Sequence, residues 1–322
     1  MTEASARVVA DSITETGNRL ITFEASCWRP VLAEQNTHCV LSRNSASSRA
    51  IPVEKQLAKF KDDFAAPIVW PREQRGMQGG SNLEDAALDD AQALWARMAA
   101  YTHAAIEGYV TDHPDAESRL HKSMLNRWLE VGLWQTQIIS ATQWDGYFWQ
   151  RTHKDAEPHI RAMAQAMKDA ADASEPRLLL PGEWHKPYWD VNGGHESDWE
   201  DAAALVATTP ESSDFNEEGT DFDAAAEEIA KQCSVARCAR VSYLTQNGSR
   251  DLQEDITLYE RLTSNRVGSE DPPHASPLEH VATPWAENSQ YVTMPNGKSM
   301  GPLPKLGKFV GWLQLRHEVL GF

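Results

Sequence analysis

The segment THCVLSRNSASSR, residues 37–49, combines one histidine, four serines, one asparagine and two arginines with few apolar residues. Hydroxyl groups, backbone N–H groups and guanidinium groups are the ligands that an anionic oxygen prefers in proteins. A solvated surface turn can have the same composition. The segment alone therefore leaves two interpretations open, an exposed turn or a loop that binds a phosphate.

Two further groups of residues could take part in the same chemistry. Arg127 and Arg151 lie in KSMLNRWLE and TQWDGYFWQR, two segments predicted to be helical. ARVSY (239–243) and HASPLEH (274–280) follow near the end of the sequence. The histidines of HASPLEH lack the i, i+4 spacing that a metal-binding helix usually shows, so we expect no metal site there.

Composition excludes several classes of protein. The chain has 47 acidic and 30 basic side chains, a net charge of −17, and no basic stripe of the kind that binds a polynucleotide. No apolar run approaches the roughly 20 residues that cross a bilayer, and no secretory signal opens the sequence, so we expect a cytoplasmic protein. The four cysteines lack a second pair at metal spacing, which predicts reduced thiols and no zinc site.

Periodicity predicts that helices position most of these residues. Apolar side chains from Leu88 to Tyr109 keep helical spacing, whereas a strand is predicted from Arg19. The segment that ends in ARVSY is predicted to be a helix running into a strand. Residues 190–222 are acidic, rich in Gly and Ser and aperiodic, which is typical of a flexible linker or a surface excursion. We therefore divide the chain into 1–189, a linker at 190–222, and 223–322, with the first and last parts packing into one domain.

Together these motifs resemble the flavin-dependent thymidylate synthases. In that family a histidine precedes a Ser, Asn, Ser, Arg pattern that wraps a nucleotide and the flavin, and this sequence matches the pattern at His38, Ser42, Asn44, Ser47 and Arg49. ARVSY and HASPLEH resemble two further family segments, but they follow the histidine loop here, whereas they precede it in the usual family chain. The resemblance thus implies a circularly permuted, phage-type member with a helix-rich α+β fold around a central mixed sheet.

The resemblance also implies roles for individual residues. It places the substrate, a pyrimidine deoxynucleotide monophosphate, at Ala46, Ser47, Ser48, Arg49, Arg127, Arg151 and Gln314. It places the flavin at His38, Arg43, Asn44, Ser242, His274 and Ser276. Arg151 is the residue implied to be catalytic, because it could stabilise charge that develops on the pyrimidine. The implied cofactors are FAD, NADPH and 5,10-methylenetetrahydrofolate, and the implied assembly is a homotetramer with active sites built from several subunits.

The sequence departs from the family in the histidine loop. Thr37 and Cys39 stand where the family has arginines, and Ser45 replaces an acidic residue. Three functions therefore remain open. They are conversion of dUMP to dTMP, hydroxymethylation of dUMP or dCMP with water quenching the methylene intermediate, and nucleotide or flavin binding without catalysis.

Overall fold

A five-stranded mixed sheet forms the centre of the fold. The computed structural model describes residues 4–189, 196–208, 220–243, 249–264, 274–285, 292–293, 299–300 and 308–320. The strands of the sheet are β1 (Ser5–Thr14), β2 (Arg19–Trp28), β3 (Ser42–Ser45), β4 (Trp134–Ala141) and β5 (Arg177–Leu179). Their order is β3-β4-β2-β1-β5, and β1 and β5 form the parallel pair among antiparallel neighbours.

Helices account for most of the remaining described residues. They are α1 (Leu32–Asn36), α2 (Val53–Asp62), α3 (Asp85–Asp112), α4 (Lys122–Leu129), α5 (Asp145–Arg151), α6 (Pro158–Asp172), α7 (Glu196–Ala207), α8 (Thr220–Tyr243), α9 (Leu252–Thr263) and α10 (Leu315–Leu320). Short strands β6 (Ala282–Pro284) and β9 (Trp312–Gln314) pair with each other, as do β7 (Val292–Thr293) and β8 (Ser299–Met300). The predicted helix-rich α+β fold is confirmed. Within the described ranges, no helix has both the length and the apolar character needed to cross a membrane.

Helix α6 covers one face of the sheet. Its apolar residues recur at helical spacing, so Ile160, Met163 and Met167 are fully buried against Phe23 of β2 and Ile139 of β4. Burial of each such side chain contributes roughly 1.5–3 kcal/mol. The helix begins at Pro158, where the Glu157 carboxylate accepts the backbone N–H groups of residues 159 and 160. This packing fixes β2 and β4, the strands that carry the groove described below.

Helix α8 covers the opposite face. Neighbouring residues of a strand point to opposite faces, so Ile138 contacts Cys238 and Val241 of α8 while Ile139 contacts α6. The predicted strand at 239–243 is wrong, because these residues form the last turn of α8. The segment 220–243 contains no Gly or Pro to interrupt a helix, and its apolar residues are buried on several sides, which obscures the helical period.

Helix α7 lies inside the stretch that the sequence predicted to be a linker. Asp198, Ala202 and Val206 are buried, and the two apolar residues pack in a cluster with Ala230 and Cys233 of α8. The apolar residues of α7 are too few to predict a helix from the sequence. Two of them, Ala202 and Val206, nevertheless pack α7 against α8. Residues 190–195 and 209–219 of the predicted linker lie outside the described residues. The division of the chain and the circular permutation both stay predictions.

Candidate functional site

An open groove of about 790 Å³ lies where β3 and the turn after it meet the end of α8 and the turn at 274–276. None of the described lining residues is acidic, although the whole chain has a net charge of −17. The groove therefore presents hydrogen-bond donors and cations to an anion. Its lining residues are Leu32, Asn36, Arg43, Asn44, Ser45, Ser47, Arg49, Ala50, His121, Gln137, Ser242, Tyr243, His274 and Ser276.

A hydrogen-bonded turn presents Ser47 and Arg49 to the groove. The Ser47 hydroxyl oxygen accepts the backbone N–H of Arg49 at 3.3 Å, and the Ser47 carbonyl accepts that of Ala50 at 2.9 Å. Both side chains are exposed. The Arg43 guanidinium lies at the other end of this wall, where Nη1 donates to the carbonyls of Gln35 and His38 at 2.7 and 3.1 Å. The turn thus presents a hydroxyl and a guanidinium to the same groove, two groups that bind phosphate.

The opposite wall comes from residues far away in the sequence. Ser242, in the last turn of α8, accepts a hydrogen bond of 2.9 Å from Nδ2 of Asn44. His274 and Ser276 are exposed, and the backbone N–H of His274 donates to the Leu262 carbonyl of α9 at 3.2 Å. The groove therefore brings together seven of the residues implied by the family resemblance, Arg43, Asn44, Ser47, Arg49, Ser242, His274 and Ser276.

Ala46 and Ser48, implied to bind substrate, point into the protein instead. Both are buried, and the Ser48 hydroxyl donates to Oε1 of Glu130 and accepts from Nη2 of Arg29 at 3.1 Å. Arg29 also donates to the Ala46 carbonyl at 3.1 Å, and the Ser48 carbonyl accepts from Nδ2 of Asn126 at 2.8 Å. The Ser48 hydroxyl is thus already satisfied, and its role here is to anchor the turn that carries Ser47.

Arg151, at the end of α5, does not line the groove. Its Nε donates to Nε2 of His38 at 2.7 Å, and its Nη2 donates to the Thr37 hydroxyl at 3.1 Å and to the Glu34 carbonyl at 3.2 Å. Partial burial, together with the charges of Arg151 and Arg43, lowers the pKa of His38. The imidazole is therefore neutral and accepts at Nε2, and the pair fixes the histidine loop.

The two remaining residues implied to bind substrate also lie outside the groove. Arg127 is exposed on α4. Gln314 is fully buried on β9, where Nε2 donates to the Ser42 hydroxyl at 3.3 Å and to the Glu279 carbonyl at 2.8 Å. The Ser42 hydroxyl in turn donates to the Glu279 carboxylate at 2.7 Å. Gln314 thus supports the strand beneath the groove and does not reach the groove itself.

The last described segment, residues 308–320, completes this support. Lys308 and Arg316 form ion pairs with the Glu279 carboxylate at 3.3 and 2.7 Å. Burial raises the pKa of Glu279, but the hydrogen bond from Ser42 and the two cations outweigh burial and lower it. Glu279 is therefore ionised at neutral pH, and Lys308 and Arg316 neutralise its charge beside a groove whose described lining includes no acid.

A row of buried polar side chains behind the groove was missed by the sequence analysis. His280 contacts Asn44 through Nε2 and the Ser140 hydroxyl through Nδ1, the latter at 2.7 Å. The Ser140 hydroxyl lies 2.6 Å from that of Thr22, which lies 2.8 Å from Nε2 of His185. Burial lowers the pKa of His280 to about 4 and that of His185 to about 3, so both are neutral at pH 7. The pairing of β2 with β4 places Thr22 opposite Ser140, and no spacing in the sequence indicates that pair.

No family model and no curated protein matches this chain. Two solved structures of a UMP/dUMP methylase, PolB from Streptomyces cacaoi, are similar to it, one bound with 5-Br UMP and the other with 5-Br dUMP. They are 13% and 14% identical to this chain, each with a TM-score of 0.40. The alignments cover 53% of this chain and 89% and 90% of the PolB chains. The similarity thus extends over about half of this protein.

Proposed function

We propose that this protein transfers a one-carbon unit from 5,10-methylenetetrahydrofolate to C5 of a pyrimidine deoxynucleotide, converting dUMP to dTMP with a bound flavin. One observation carries the proposal. Ser47 and Arg49 share one groove, without an acidic residue among its described lining, with Ser242 and His274. These residues come from three segments far apart in the sequence, and they belong to the three motifs that resemble the flavin-dependent thymidylate synthases.

The nucleotide phosphate is assigned to Ser47 and Arg49. Their hydroxyl and guanidinium groups are exposed on one turn, and a hydrogen bond to a charged group contributes about 1.5–3 kcal/mol. Ser48 is not assigned a contact with the phosphate, because its hydroxyl is hydrogen-bonded to Arg29 and Glu130. The turn is held from inside the protein through Ala46 and Ser48, so its backbone is already in place when the phosphate arrives.

The flavin is assigned to the wall formed by Arg43, Asn44, Ser242, His274 and Ser276. These residues supply a guanidinium, an imidazole and two hydroxyls, a donor set that fits the phosphates and ring oxygens of FAD, while the Asn44 amide is engaged within the protein and holds Ser242. The groove of about 790 Å³ falls within the range of roughly 300–1,000 Å³ that is typical of ligand pockets. When bound, the flavin would relay electrons from NADPH, and the protein's share is binding, orientation and electrostatics.

Within one protomer, Arg151 is assigned to positioning the histidine loop. Its guanidinium holds His38 and Thr37 and does not line the groove. A direct contact between Arg151 and the pyrimidine, which the resemblance implies, is not provided by the groove that the described residues of one protomer form. Arg127 is exposed and could reach the groove of another copy in the homotetramer that the resemblance also implies.

A mass spectrum of the nucleotide tests the proposed reaction. The full chain is incubated with FAD, NADPH and 5,10-methylenetetrahydrofolate, with dUMP and dCMP in separate reactions. We expect dUMP to gain the mass of a methyl group, and we expect no product when FAD is left out. A mass gain equal to a hydroxymethyl group would replace the proposed reaction by hydroxymethylation, and the reaction in which it appears would identify the base.

Arg49→Ala is the variant that tests the assigned phosphate site in this experiment, since it removes an exposed cation from the groove. We expect its product yield to fall at subsaturating dUMP. If folded wild-type protein leaves both nucleotides unchanged, the proposed reaction is wrong, and a nucleotide- or flavin-binding protein without catalysis becomes the better description. Thr37 and Cys39, which replace two family arginines, would then explain the loss.

A further inference from the structure

The buried polar residues behind the groove form a chain of hydrogen bonds with one fixed direction. The direction is set at Asn44, whose Nδ2 lies 2.9 Å from the Cys238 carbonyl, a group that can only accept. The Asn44 Oδ1 therefore faces His280 and must accept from Nε2–H of that ring. Because neutral imidazole carries one N–H, Nδ1 of His280 accepts, and the Ser140 hydroxyl at 2.7 Å must donate to it.

The same reasoning fixes every proton further along the chain. Ser140 uses its one hydroxyl proton on His280, so the Thr22 hydroxyl at 2.6 Å must donate to the Ser140 oxygen. Thr22 then has only lone pairs for His185, whose Nε2 at 2.8 Å must carry the proton. Nδ1 of His185 consequently accepts from the Ser12 hydroxyl at 2.9 Å. All donors thus point from β1 towards the groove.

The final link of the chain ends on a groove residue. Asn44 has two amide protons, and the second is donated to the Ser242 oxygen at 2.9 Å. The Ser242 hydroxyl therefore accepts on the protein side, and within the described part of the chain its own proton has no acceptor. Ser242 lines the groove, so this proton is available to a ligand there.

We propose that His280 is a positioning residue for the groove: together with the Cys238 carbonyl it fixes the Asn44 amide, so that Asn44 donates to Ser242 and Ser242 offers its own proton to an acceptor oxygen of the ligand. This inference rests on the proposed function for the identity of its ligand, the flavin. The chain does not transport protons, because the Asn44 amide between His280 and Ser242 does not release or take up a proton at neutral pH. Its effect is to fix orientation in a buried site where an unpaired group would be costly.

The proton positions are tested first without any ligand. Full-length protein with ¹⁵N-labelled histidine is examined by NMR at pH 7, and His280→Gln and His185→Gln identify the two rings. We expect both rings to be neutral, with the proton on Nε2 and no proton on Nδ1, which accepts a hydrogen bond from a serine. A proton on Nδ1 of His280, or an imidazolium at that position, would overturn the proposal.

The link to the groove is tested by FAD binding, followed by flavin fluorescence. We expect Ser242→Ala and His280→Leu each to weaken binding by roughly tenfold, the equivalent of about one hydrogen bond. The double variant, with both Ser242→Ala and His280→Leu, should bind FAD about as tightly as whichever single variant has the lower affinity, because both changes remove the same contact. His280→Gln should restore most of the affinity, since its amide can donate to Asn44. If the loss of FAD affinity in the double variant equals the product of the two single losses, the two residues act independently and the proposal is wrong.

Failure of this proposal can be told apart from failure of the proposed function. If wild-type protein binds no FAD, the assignment of the flavin is wrong, and the NMR spectrum of the protein without ligand still decides the direction of the chain. If FAD binds but Ser242→Ala and His280→Leu have no effect, the flavin assignment stands while the positioning role of His280 is wrong.

Discussion

Arg151 and His38 form a hydrogen bond of 2.7 Å in which the guanidinium Nε–H donates to the imidazole Nε2. An imidazolium has no lone pair and could not accept this bond. The pair therefore requires neutral His38, in agreement with the lowered pKa of that ring. It connects the end of α5 to the histidine loop, the segment whose polar composition first suggested a phosphate site.

Removing Arg151 should raise the pKa of His38. Burial is the largest cause of its lowered pKa, and the charge of Arg151 is the next, ahead of Arg43. In Arg151→Met, an NMR titration of the His38 ring should give a higher pKa than in wild type. Arg97→Met, an exposed change on α3, should leave the titration unaltered. A titration unchanged in Arg151→Met would show that the guanidinium does not approach the ring in solution.

Arg49→Ala should weaken dUMP binding by at least tenfold. The change removes a charged donor from the groove, and a hydrogen bond to a charged group contributes about 1.5–3 kcal/mol, where 1.4 kcal/mol is a tenfold change in Kd. Calorimetry measures the two Kd values, with Arg97→Ala as a control that removes an exposed arginine from α3. Equal affinities for wild type and Arg49→Ala would remove Arg49 from the phosphate site.

Asp198→Ala should destabilise the protein strongly. The Asp198 carboxylate is buried and binds Arg237 at 2.9 Å and Arg250, while Arg237 also binds Asp255 at 2.8 Å. Loss of one partner from a buried ion pair typically costs about 3–5 kcal/mol, because the other charge stays buried. Urea unfolding measures the difference, with the exposed Asp201→Ala as control.

Deletion of residues 192–218 should be destabilising for the same reason, although the sequence predicted a flexible linker there, a kind of segment whose deletion the fold would tolerate. The deletion removes Asp198 together with the buried Ala202 and Val206 of α7. Wild-type stability in Asp198→Ala, or in the deletion variant, would show that α7 does not anchor α8.

The free energy of unfolding should fall as the pH is lowered, in part because of His185. Burial lowers the pKa of His185 to about 3 from an ordinary value of 6.5, so between these values the unfolded chain binds one more proton than the folded chain. The stabilisation is complete above pH 6.5 and is lost as the pH falls towards 3. One pKa unit corresponds to about 1.4 kcal/mol, which gives roughly 3 kcal/mol between pH 7 and pH 4.

His185→Gln isolates this contribution, because glutamine does not titrate and can still donate to Thr22. Its stability should decline less steeply between pH 7 and pH 4 than that of wild type, measured by denaturant unfolding at each pH. His153→Gln changes an exposed histidine and should follow the wild-type curve. Parallel curves for wild type and His185→Gln would show that His185 titrates normally in the folded protein.

The sequence predicted the elements with strong local signals. The helical spacing from Leu88 to Tyr109 corresponds to α3, and the mixed sheet and helix-rich α+β class are as expected. It did not predict α7 or the end of α8, since the burial of those residues depends on partners elsewhere in the fold. Local pattern reports the face that a segment buries, and it is weakest where a helix is covered on several sides or by few apolar residues.

The candidate site shows the same limit at the level of single residues. The polar loop and its partner motifs could be recognised by residue type, and residues from the loop, from 239–243 and from 274–280 line one groove. Residue type could not show that Ser48 turns inward to Arg29, or that Arg151 binds His38. It also gave no sign of the link between Thr22 and Ser140, because that contact exists only through the register of β2 and β4.

The supports of Ser42 have a consequence for how the protein is made. Its hydroxyl is held by Glu279 and Gln314, which follow it by 237 and 272 residues along the chain. Contacts between such distant residues form slowly, because a long loop must close before they stabilise anything. During synthesis the polar loop leaves the ribosome long before its supports do. A ribosome-bound chain therefore exposes the loop without a finished groove, and ligand binding should arise only after Glu279 and Gln314 have left the ribosome.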